Sequence, residues 1–85
     1  MKNEIYKNLL KLETLEEIAN HAEADYERDP ESAECEETFD RAYKNEFDCF
    51  MQVSGQIAKM AGIDEKTARA MVKGRREELK RILTA

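Results

Sequence analysis

The sequence predicts an all-α fold, an antiparallel helical hairpin followed by a shorter C-terminal helical unit. Apolar residues recur every three or four positions through most of the 85-residue chain, and no stretch alternates apolar with polar as a half-buried strand would. One proline and three glycines, at Pro30, Gly55, Gly62 and Gly74, are the strong breakers, and they divide the chain into helical lengths.

From about Asn3 to Arg28, the residues Ile5, Leu9, Leu12, Leu15, Ala19, Ala22 and Tyr26 fall on one face of a first helix. Asp29 followed by Pro30 predicts an N-cap with proline in the first helical position, where the missing N–H costs nothing. In the second helix Cys35, Phe39, Tyr43, Phe47, Phe50, Val53, Ile57 and Met60 keep the same spacing. It either runs unbroken to about Ala61 or restarts at Ser54-Gly55, and a cost of ~1 kcal/mol for an interior glycine does not decide between them. Gly62 with Ile63 fits a helix C-cap, and Asp64 fits the next N-cap. A third helix then passes through Ala68, Met71 and Val72, and either ends at Gly74 or continues through Leu79, Ile82 and Leu83. The first two helices should pack as a hairpin, because neither can bury its apolar stripe alone. Leu9, Leu12, Tyr43, Phe47, Phe50 and Ile57 are expected to share one core, with the aromatic set Phe39, Tyr43, Phe47 and Phe50 packed inside rather than offered as a stacking platform.

A chain this short buries only ~60% of its unfolded surface, so a single domain is expected over 1–85, without a large enclosed active site. Charged residues make up 39% and apolar residues 41%, which fits a compact domain rather than disorder. No run approaches the ~18 apolar residues of a spanning helix, and Met1-Lys2-Asn3-Glu4 lacks a signal-peptide core, so a cytoplasmic location without a membrane partner is expected. Cys35 and Cys49 would lie ~21 Å apart along one helix axis, too far to bridge. Reduced structural thiols are expected.

The charge is unevenly placed. Residues 1–55 hold six basic and fifteen acidic side chains, a balance of −9, and residues 56–85 hold eight and four, a balance of +4, which together give the net −5. The acidic hairpin is densest from Glu23 to Asp40, where Glu27, Asp29, Glu31, Glu34, Glu36 and Glu37 are candidates for docking a basic protein partner.

In the C-terminal segment, Ile57, Ala58, Ala61, Gly62, Ile63, Ala68 and Met71 are spaced so that small residues permit close helix approach and a glycine supplies the positive-φ turn. The stretch 57–72 resembles the helix-turn-helix of bacterial repressors of the lactose-repressor type. The resemblance implies a second helix entering the major groove, with Glu65, Lys66, Arg69 and Ala70 toward base edges and Lys73 toward phosphates. Asp64 and Glu65 place two acids at the start of that helix, and Ala70 stands where the family carries a polar base reader. The basic set Lys66, Arg69, Lys73, Arg76 and Lys80 shares one face if the helix continues past Gly74.

Glu17, His21 and Asp25 follow one another at i, i+4 and i+8, but one histidine with no further ligands indicated reads as an exposed face rather than a metal site. With no base placed beside a cysteine or serine, and no phosphate-cradling glycine loop, neither an enzyme nor a cofactor is expected. Two functions follow as expectations. One is a small DNA-binding regulator or accessory protein, expected to act as a homodimer because a lone small reading head needs a symmetric partner for affinity. It would read bases with Lys66 and Arg69 and touch the backbone with Lys59, Lys73, Arg75 and Arg76. The alternative is an acidic protein-binding module, or a nucleic-acid-mimicking inhibitor from a phage or mobile element.

Overall fold

A computed structural model describes all 85 residues as four helices and no strand: α1 (Lys2–Arg28), α2 (Ala33–Ala61), α3 (Glu65–Gly74) and α4 (Arg76–Thr84). The all-α fold and the helical hairpin are as the periodicity predicts. No helix is long and apolar enough to cross a membrane.

The turn between α1 and α2 departs from expectation. Pro30 disfavours helical backbone at the residue before it, so Asp29 leaves the helix at φ −140°, ψ 72° and closes α1 rather than opening α2. Its N–H donates to the carbonyls of Asp25 and Tyr26. The α2 N-cap is Ser32, three residues later than Asp29, with Oγ accepting from the Cys35 N–H at 3.2 Å. Glu34 and Glu36 in the first turn complement the positive end of the helix dipole.

α2 runs unbroken through Gly55 to Ala61. Gly62 ends it in left-handed backbone (φ 68°, ψ 34°), and the N–H groups of Gly62 and Ile63 both donate to the Ala58 carbonyl, a Schellman-type close. Asp64 caps α3, its Oδ1 accepting from the Thr67 N–H at 2.9 Å. Hydrogen bonding to Thr67, through its side chain first and its backbone N–H second, holds the Asp64 carboxyl below its ordinary pKa.

The helix does not continue past Gly74. Arg75 breaks it at φ −131°, ψ 39°, and α4 starts at Arg76. α3 packs on α2, whereas α4 packs on α1, and the break redirects the chain from one to the other. Ala68 and Val72 of α3 and Leu79 and Leu83 of α4 thereby join Ile5, Leu9 and Leu12 of α1 and Cys49, Val53, Ile57 and Ala58 of α2 in one core. That core fills only one end of the hairpin. The arm toward the turn holds a separate contact of Ala19, Ala22 and Ala42 with Phe39, whose ring meets Tyr26 edge-on at 5.7 Å.

The aromatic stripe is not the core. Tyr43 and Phe47 are 59% and 51% exposed, and Phe50 is only half-buried. The residues of α2 turned toward α1 follow the register Phe39, Ala42, Glu46, Cys49 and Val53, and Tyr43 and Phe47 stand one position on, rotated by ~100° onto the flank. Both cysteines are free; Cys49 is buried and its Sγ approaches the Asn8 carbonyl at 3.6 Å. Asn8 also donates to Gln56 Oε1 at 3.0 Å, a polar tie between α1 and α2.

Candidate functional site

Two carboxylates stand where the hairpin register calls for apolar residues, Glu16 on α1 and Glu46 on α2, and both are half-buried. The first turn of α4 supplies the countercharge. Arg76 grips Glu16 with both terminal nitrogens, Nη2 lying 3.0 Å from Oε2, and its Nε donates to the Val72 carbonyl at 3.2 Å. Glu13 stands 4.0 Å from the same guanidinium and 2.9 Å from Lys80 Nζ. The hydrogen bond to Glu16 raises the Arg76 pKa, and that to Glu13 raises the Lys80 pKa. Burial raises the Glu46 carboxyl, with Glu16 adding to the shift and Arg76 opposing it. Glu46 has no cation within ion-pair distance.

This network revises the basic face. Lys66, Arg69, Lys73, Arg76 and Lys80 do not share one side, because the break at Arg75 turns Arg76 and Lys80 toward α1. The six cations singled out in the sequence divide accordingly. Lys59, Lys66 and Lys73 are exposed without a carboxylate partner, while Arg69 lies 3.9 Å from Glu65, Arg75 lies 3.0 Å from Glu78, and Arg76 is held by Glu16. The outward face of α3 therefore offers Lys66, Thr67, Ala70 and Lys73, with Asp64 and Glu65 at its start.

The acidic arm stands at the other end. Glu27, Asp29, Glu31, Glu34, Glu36 and Glu37 are all exposed around the α1–α2 turn, with local pairs only between Arg28 and Asp25 and between Arg41 and Glu37. Glu17, His21 and Asp25 lie on an exposed flank of α1.

Between the arm and the α3–α4 junction, a cleft of about 280 Å³ opens on the flank of α2. Tyr43, Phe47 and Phe50 line it together with the carboxylates Glu16 and Glu46 and the cations Lys73 and Arg76. Lys73 Nζ sits 5.5 Å from the centre of the Phe50 ring. Spacing alone points away from this site, because Tyr43, Phe47 and Phe50 make a plausible core stripe of their own. The signal that finds it is the competing register, in which Glu16 and Glu46 both occupy inward positions and so require a partner from elsewhere.

Comparison with protein-family models, with curated proteins and with solved structures finds no match to this chain.

Proposed function

We propose that the protein is a binding module rather than an enzyme, and that its acidic hairpin arm docks a basic segment of a protein partner along the uncovered flank of α2. The observation that carries this is the exposure of Tyr43 and Phe47, one helical turn apart and lining one cleft with Phe50, Lys73 and Arg76. Aromatic side chains are enriched at protein interfaces and among the residues that carry binding energy there. The surrounding charge selects a basic occupant: nine acids lie between Glu23 and Asp40, against the single Arg28.

DNA binding through α3 is the second reading, favoured by the exposed and unpaired Lys59, Lys66 and Lys73. It is the weaker one because Arg76 is held by Glu16, because Arg69 and Arg75 each have a carboxylate beside them, and because Asp64 and Glu65 would meet the phosphates first. Fluorescence anisotropy at low and moderate salt separates the two. An arginine-rich helical peptide should bind and a mixed duplex should not; duplex binding that weakens steeply with salt, with no peptide binding, would reverse the assignment.

A further inference from the structure

The cleft beside Glu46 holds an imbalance that the fold does not use. Arg76 is spent on Glu16 and Glu13, and Lys80 on Glu13 and Glu77, so Glu46 is left as a half-buried carboxylate without a cation. The neighbouring rings add partial negative charge on their faces. Lys73 already holds its ammonium over Phe50, yet it has no carboxylate partner and its side chain is exposed, so it can swing into solvent. At about 280 Å³ the cleft is smaller than the ~300–1,000 Å³ typical of small-molecule sites, which suits one long side chain.

We propose that this cleft accepts a single cationic side chain of the partner, guanidinium or ammonium, with its charge against Glu46 and its stem across Phe47 and Phe50, displacing Lys73 from the Phe50 ring. The proposal rests on the docking function above and names its anchor point. An anion is the wrong occupant, because it would face the unpaired Glu46. Burial, and after it Glu16, raise the Glu46 carboxyl while Arg76 opposes them, and an entering cation would favour the charged form by direct attraction.

The test uses the full chain, an alanine–arginine helical peptide read by anisotropy at low salt, and N-acetylarginine amide read through the Phe47 and Phe50 ring resonances. Glu46→Gln should weaken the peptide about tenfold, the loss of one charge-assisted contact, and abolish the ring shifts. Glu4→Gln, which removes the same charge at the far end of α1, should have a much smaller effect. Lys73→Met should tighten binding more than Lys2→Met does, since it removes the competing occupant as well as a charge. If the peptide binds but Glu46→Gln matches Glu4→Gln and Lys73→Met matches Lys2→Met, the anchor pocket is wrong while docking on the arm stands. If no peptide binds to the wild-type chain at low salt, both are wrong. Unchanged helical circular dichroism of each variant separates lost binding from lost folding.

Discussion

Arg76 and Glu16 stand sixty positions apart in the chain and meet through a two-pronged guanidinium–carboxylate contact, one prong at 3.0 Å, that fixes the start of α4 against the middle of α1. Both side chains are largely withdrawn from water, at 20% and 31% exposure, so the pair resists screening better than the surface pairs of the arm.

Removing one partner should therefore hurt more than removing both. Arg76→Met leaves the half-buried Glu16 without its guanidinium partner and is expected to cost ~1–3 kcal/mol in urea unfolding. Glu16→Leu combined with Arg76→Met should recover part of that loss. A double variant as unstable as the sum of the single ones would mean that the pair is not coupled.

Glu46 supplies a pH signature. Its raised pKa means the folded chain holds the proton more tightly than the unfolded chain, so this residue's contribution is fullest at acid pH and is lost as pH rises through the raised value. Glu46→Gln should thus be more stable than wild type at neutral pH, with the difference closing below the ordinary glutamate range. Thermal melts of the two proteins from acid to neutral pH check this. A difference that grows on acidification would contradict the burial of this carboxylate.

The core assignment separates two residues of similar apolar character. Leu9 is fully buried, and Leu9→Ala is expected to cost ~2–5 kcal/mol. Phe47 is half exposed, and Phe47→Ala should fall within ~0.5 kcal/mol of wild type, as surface substitutions do. Chemical denaturation of both variants reads the contrast directly. Equal large losses would return Phe47 to the core.

The cysteines should react at different rates. Cys49 is 6% exposed and burial pushes its thiol up, so alkylation must await opening of the hairpin; half-buried Cys35 near the arm's turn should react first. Mass spectrometry after a brief iodoacetamide pulse distinguishes single from double labelling. Equal labelling of the two thiols would contradict the packing of Cys49 against Asn8.

What could be read from the sequence is what local chemistry decides. Gly62 and Asp64 mark the end of α2 and the start of α3 because the left-handed turn and the side-chain cap are each set by a few adjacent residues. Asp29-Pro30 misled because proline restricts the residue before it as well as favouring a helix start, and Ser32 two positions on made the better cap. Tyr43 and Phe47 misled because two periodic stripes compete on α2, and only the presence of α1 decides which faces inward. The cleft is legible only in part: Glu16 and Glu46 at inward positions signal a missing partner, and nothing local says which residue supplies it. Arg76 reaches Glu16 only because α4 departs from α3 at Arg75, and Gly74, the one breaker there, leaves ending and continuing both open.

Docking of a basic segment on the arm is tested most directly by two-dimensional NMR of the labelled full chain during titration with the alanine–arginine peptide. The expected result is a set of shifts at Tyr43, Phe47 and the acids from Glu27 to Glu37, diminishing as salt is added, with the α3 residues Lys66 and Ala70 unmoved. No shifts on the arm, together with shifts at Lys59, Lys66 and Lys73 when duplex DNA replaces the peptide, would contradict protein docking and favour nucleic-acid binding through α3.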